Sequence, residues 1–165
     1  MKKKFIIAAV VAALGGTALH FFYDILPYRI VAIFAPVSES PWEHLKLLFW
    51  PTLLAAAVLV QGAKQPQRLW SAFFFVLLAM PVFLLGVYYL IVYLGQDSVA
   101  VDIILYFVTM FGGFALAYFL SKRQWVEHIG GVLLMLVILY ASALVLFSFA
   151  APPFAIFREK SAIAP

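Results

Sequence analysis

Polar residues along this chain fall in clumps, and five long apolar stretches run between them: residues 5–23, 41–62, 69–94, 99–120 and 129–150. Each is close to the roughly 20 residues a helix needs to cross a hydrocarbon core of about 30 Å. The clumps carry the helix breakers. Pro27 and Pro36 follow the first stretch, Gln65-Pro66-Gln67 the second, Gly95-Gln96-Asp97-Ser98 the third, and Pro152-Pro153 the last. Residues 30–34 are apolar but too few to cross, which predicts a loop or a short interfacial helix. The pattern predicts one all-α domain over residues 1–165, an integral membrane bundle of about five transmembrane helices. Pro51 and Pro81 fall inside predicted helices, where each removes a backbone hydrogen bond and favours a kink.

Composition points to the same solvent. The chain is 67% hydrophobic, whereas soluble domains are about 45–50% apolar. Without cysteine there is no disulfide or thiolate ligand. The net charge of +4 is explained by topology rather than by nucleic acid. With the N-terminus inside, Lys2, Lys3, Lys4, Lys64, Arg68, Lys122 and Arg123 fall on the inner side with one acid, Glu127. Arg29, Lys46, Arg158 and Lys160 fall outside with Asp24, Glu39, Glu43, Asp97, Asp102 and Glu159. This is the positive-inside distribution of a multi-pass protein of the inner (plasma) membrane, with a basic inner face suited to anionic lipid. The start, Met1-Lys2-Lys3-Lys4 before an apolar run, also has the form of a signal peptide. The run continues through Phe21-Phe22 without a small-residue cleavage site, so it is read as an uncleaved first helix.

The densest polar clump, residues 36–46, is the candidate site. Ser40-Pro41-Trp42-Glu43 has the form of a capping box, with Ser40 as N-cap, Pro41 at the first helical position and Glu43 reaching back to the Ser40 N–H. Thr17, His20 and Asp24 share a face of the first helix, and Asp102, Tyr106 and Thr109 form a polar stripe on the fourth. Ionisable groups facing lipid are costly, so these stripes should face one another. Gly16, Gly86, Gly112 and Gly113 are candidates for close helix approach. His20, Asp24, Glu39, Glu43, His44 and Asp102 are therefore the candidate ligand-binding residues. Imidazole and carboxylate donors suit zinc or another divalent metal, for which His20, Asp24, Glu43 and His44 are the candidate ligands. No standard metal spacing is present, and the plain reading is a set of polar contacts. No haem attachment motif, phosphate loop or serine elbow is found. His128, on the inner side, reads as an interfacial or capping residue.

The segment Ala35-Pro36-Val37-Ser38-Glu39-Ser40-Pro41-Trp42-Glu43-His44-Leu45-Lys46-Leu47-Leu48-Phe49 resembles the signature of a family of small multi-pass bacterial membrane proteins classed as a domain of unknown function. Leu19-His20-Phe21-Phe22-Tyr23-Asp24 resembles its first-helix motif, and residues 152–158 its C-terminal segment. The chain departs from that pattern at Ser38, where Asn is expected, at Pro41, where an aliphatic residue is expected, and after Arg158. The resemblance implies a shared multi-helical fold and a shared outer site. It implies no activity.

Three functions fit this reading. In the first, an outward-facing polar pocket binds a metal, a lipid headgroup or another small polar ligand; in an enzymatic version the metal polarises an ester or phosphoryl oxygen and activates water, with Glu39 or Glu43 as base. In the second, the acids carry protons or cations across the membrane, although no inverted repeat is visible. In the third, the chain is a structural subunit or assembly factor, acting as a homo-oligomer or with a membrane partner. Topology is directly testable on this cysteine-free background. Single cysteines placed at the two ends should label from opposite sides, the N-terminal one only after permeabilisation. Labelling of both ends from one side overturns the five-span arrangement.

Overall fold

A computed structural model describes residues 2–96 and 98–158. Asp97, Glu159 and Lys160, which enter the charge distribution above, lie outside the described residues. Among the described residues the regular structure is helical: α1 Lys2–His20, α2 Phe22–Ile25, α3 Arg29–Phe34, α4 Pro41–Val60, α5 Pro66–Tyr93, α6 Val99–Leu120, α7 Trp125–His128 and α8 Gly130–Phe149, with a short 3₁₀ turn at Ala155–Phe157. Five segments are long and apolar enough to cross a membrane: α1 continued through α2, then α4, α5, α6 and α8. The chain is an integral membrane bundle. Its outward surface carries Leu54, Val58, Val82, Met135 and Leu139, side chains that only an apolar solvent tolerates in such number.

Helices α4 and α5 pack against each other at the centre. On one side α1 and α6 close over them; on the other, α8 packs against both. The five crossings alternate, so one end of the bundle holds the N-terminus and the α4–α5 and α6–α8 connections. The opposite end holds residues 20–41, the α5–α6 turn and the C-terminal segment. At the N-terminal end the Arg68 Nε donates to Glu127 at 3.2 Å, tying α5 to α7. The α5–α6 turn is a Schellman motif. Gly95 takes φ +69°, its N–H bonds the Val92 carbonyl, and the Gln96 N–H bonds the Ile91 carbonyl, which satisfies the last carbonyls of α5. Ser98 caps α6 by accepting from the Val101 N–H, a role its sequence position among turn residues did not reveal.

Small residues set the closest approach. Phe5, Ala9, Ala12, Ala13 and Gly16 form the buried face of α1, repeating with the helical period. A methyl group at Gly16 would collide with the Tyr106 hydroxyl and lie 2.6 Å from the Leu47 carbonyl oxygen. That carbonyl is the one Pro51 leaves without a helical donor, because Pro51 has no N–H. Gly16 therefore lets α1 sit on an uncovered backbone oxygen of α4, the close packing that replaces the hydrophobic effect in lipid. Gly113 makes a comparable approach, to Met80, whereas Gly86 and Gly112 face open space. Accordingly, Gly16→Ala should lose about 1–3 kcal/mol through overpacking, while Gly112→Ala should be neutral or gain up to about 1 kcal/mol from helix propensity. Unfolding in mixed micelles measures both.

Candidate functional site

The segment between α1 and α4 folds back over the first turns of α4, and two neighbouring polar systems hold it there. One is closed. Ser40 caps α4, its Oγ accepting from the Glu43 N–H at 3.3 Å, as the sequence predicts. Glu43 does not reach back to Ser40. Its Oε2 accepts from the Val37 N–H at 2.9 Å and from the Lys46 ammonium at 2.6 Å, and its Oε1 accepts from Ser148 of α8 at 2.7 Å. Lys46 is fully buried. It also donates to the carbonyls of Ala32 at 2.6 Å and Ala35 at 3.2 Å. These lie at the C-terminus of α3, where a helix leaves carbonyls unpaired and a cation is favoured. All three ammonium protons have acceptors. Trp50 adds a donor to the Ile33 carbonyl at 3.0 Å, and its ring packs on Phe34.

The second system is loose. Glu39 stands between two imidazoles: His20 Nε2 lies 3.8 Å from one carboxylate oxygen and His44 Nε2 lies 3.4 Å from the other. Charge-assisted hydrogen bonds are about 2.7–2.9 Å long, so these separations exceed direct bonding. The two rings stand 5.2 Å apart. One donor atom from each of the three residues falls within 4.8 Å of the other two. His44 Nδ1 lies 2.9 Å from the Ser40 carbonyl. A carbonyl only accepts, so Nδ1 donates this bond, and Nε2 is the ring nitrogen that faces Glu39. Glu39 is largely exposed; the histidines are partly covered.

These three residues stand at the mouth of a cavity of about 430 Å³ between α1, α4, α5 and α6, whose wall also includes Thr17, Asp102 and Tyr106. Thr17 and Tyr106 both donate to the Ala13 carbonyl, at 3.0 and 2.9 Å. Of the residues singled out from the sequence, His20, Glu39 and His44 come together and Asp102 lines the same cavity. Glu43 and Asp24 do not join them. Consecutive helix positions point about 100° apart, so Glu43 faces Lys46 and α8 while His44 faces α1, and the Glu43 oxygens are committed. Asp24 is exposed because α1 is interrupted at Phe21, whose N–H bonds the Ala18 carbonyl three residues back. That tighter turn disturbs the four-residue register that put Asp24 under His20. Glu39 was not among the metal ligands expected from the sequence; it lies in an irregular segment where periodicity gives no face. Ser148, 105 residues from Glu43, carried no signal beyond its position in an apolar helix.

The chain matches, over residues 1–163, the model described as a family of unknown function, DUF6512. The chain belongs to the DUF6512 family. No curated protein and no solved structure matches it.

The closed system of this DUF6512 member is a stability element. Lys46→Met leaves the Glu43 carboxylate buried without its cation and should cost about 3–5 kcal/mol. Adding Glu43→Gln in the same chain should restore most of that loss. Ser148→Ala should cost about 1.5–3 kcal/mol, the value of a hydrogen bond to a charged group. Unfolding in micelles reads all three, and additive losses in the double variant would contradict the pairing.

Proposed function

We propose that this chain is a protein of the inner (plasma) membrane that holds a divalent metal of the zinc class at His20, Glu39 and His44, on the side opposite its cytoplasmic N-terminus. The observation that carries the reading is the spacing around Glu39. Donors on one tetrahedral zinc, with bonds of about 2.0–2.1 Å, lie about 3.3 Å apart. The His44–Glu39 Oε2 separation of 3.4 Å is close to that value and is too long for a strong ion pair. His20 lies 3.8 Å from the other carboxylate oxygen, Oε1, and the three donors fall within 4.8 Å of one another, so side-chain rotation is needed to bring them onto one ion.

The orientation of His44 supports the same reading. Its Nδ1–H on the Ser40 carbonyl is the kind of outer contact that fixes a metal-binding imidazole and raises its basicity. Two imidazoles and one carboxylate leave a fourth position open to water or ligand, the arrangement of catalytic rather than structural zinc. Glu43 is unsuited to act as a base there, since it is held by Lys46, and Asp102 is the carboxylate on the cavity wall. The sidedness rests on the cations gathered at the N-terminal end of the bundle, where Lys122 lies over Tyr118 and Arg123 over Phe119 in the manner of interfacial anchors on anionic lipid.

Metal analysis of detergent-purified protein, equilibrated with zinc and desalted, tests the proposal. The parent should carry about one ion per chain. His44→Ala and His20→Ala should each lose most of it while unfolding like the parent, and Glu39→Gln should weaken binding about 10–100-fold or more. A parent that carries no zinc, or histidine variants that carry as much as the parent, would overturn the reading.

A further inference from the structure

Beyond the histidines the cavity changes character. Its other polar groups are Thr17 of α1, Tyr88 of α5 and the Asp102–Tyr106 stripe of α6; much of the remaining wall is apolar, with Leu47 of α4, Leu84 of α5 and Leu105 and Phe107 of α6. At Gly16 and Tyr106, α1 and α6 touch, which bounds the cavity on its deep side. Toward the helix ends its rim is Phe21 on α1 with Val99 and Ile103 on α6, which are 56%, 72% and 52% exposed. In a membrane-spanning bundle, exposed apolar side chains on adjoining helices suit contact with lipid, so this rim gives the cavity an apolar edge.

A buried water needs two to four polar partners, and the Leu47, Leu84, Leu105 and Phe107 wall offers none. The volume of about 430 Å³ lies within the range of small-molecule sites, about 300–1,000 Å³. A metal on two neutral imidazoles and one carboxylate keeps a positive charge and an open position for an oxygen donor. The polarity therefore runs from a cationic centre at the helix ends to an apolar chamber at membrane depth. That is the polarity of an amphiphile lying in a bilayer.

We infer that the cavity seats a single-chain membrane amphiphile, its carboxylate or phosphate head on the metal at His20, Glu39 and His44 and its acyl chain against Leu47, Leu84, Leu105 and Phe107. The head assignment rests on the metal reading above; the acyl seat stands on the cavity itself.

Equilibrium binding of radiolabelled palmitate to the zinc-loaded protein in phosphatidylcholine nanodiscs tests this, with acetate as the head-only competitor. Palmitate should be retained above empty nanodiscs, and a large excess of acetate should not displace it. Leu84→Trp, which fills the chamber, should weaken palmitate binding about tenfold or more with zinc content unchanged. Leu105→Phe serves the same purpose if Leu84→Trp does not fold. Retention no greater than in empty nanodiscs would overturn the inference, as would parent-level binding by a folded filled variant. Displacement by equimolar acetate would also overturn it, since the site would then be one for anions alone. Palmitate that survives chelation of zinc but is lost in the filled variant supports the acyl seat and overturns the placement of the head on the metal, whereas the metal reading itself stands or falls on zinc content, so the two fail separately.

Discussion

The constraint on which the rest depends is the buried pair of Glu43 and Lys46. An ammonium inside a membrane bundle is tolerable only if its charge and all its protons are met. Here its three acceptors belong to different parts of the chain: the carboxylate one turn back on the same helix and two carbonyls at the end of α3; Ser148 of α8 in turn holds the other carboxylate oxygen. Satisfying Lys46 therefore fixes the fold-back of residues 29–40 over α4. The Val37 N–H on Glu43 and the Ser40 cap fix the remainder of that segment, and Glu39 lies between these two anchors. An apolar pair of equal volume could give as much stability. It would not give the directional contacts that specify where the segment lies.

The same helix serves the opposite face by its pitch alone. His44 follows Glu43 and points away from it, toward α1. Position and register thus place a fully satisfied network and an under-filled cluster one residue apart. The difference between them is the chemically informative quantity. In the closed network the contacts to the Glu43 carboxylate are 2.6–2.9 Å, and the longest, at the Ala35 carbonyl and the Ser40 cap, are 3.2 and 3.3 Å. Around Glu39 they are 3.4 and 3.8 Å, with His44 held from behind by Ser40. A carboxylate exposed on one side and flanked by two imidazoles at these distances contributes little to holding the fold.

Much of this was legible in the sequence where one physical rule acts alone. The spans follow from hydrophobic length, the Ser40 cap and the Pro41 start from local motif, and the end of α5 from Gly95. The importance of Gly16 followed from residue size, although its partner, the carbonyl freed by Pro51, is a tertiary fact. Legibility failed where two rules compete. Glu39, Glu43, His44 and Lys46 are one clump along the chain, and pooling them as one site ignored that helix geometry divides them between two faces. Asp24 was assigned from an unbroken four-residue period that the turn at Phe21 interrupts. Ser148 was invisible because a lone hydroxyl in an apolar helix usually bonds its own backbone; here the Leu144 carbonyl, 2.9 Å away, competes with Glu43 for the single hydroxyl proton.

The two polar systems are mechanically linked, and this bears on how substitutions should be interpreted. The Ser40 carbonyl orients His44 while the Ser40 hydroxyl caps the helix through the N–H of Glu43. Glu39 hangs from a segment held by Lys46. A change at Lys46 or Glu43 is therefore expected to disturb the histidine cluster without touching it, through displacement of residues 36–40. A loss of function at Glu43 does not by itself make Glu43 a ligand. Substitutions at His20 and His44 leave the Lys46 network intact, so their effects belong to the cluster. The physical distinction is between a residue that closes the fold over the site and residues that leave it open. On this geometry, the conspicuous Glu-His pair at positions 43 and 44 contains one of each.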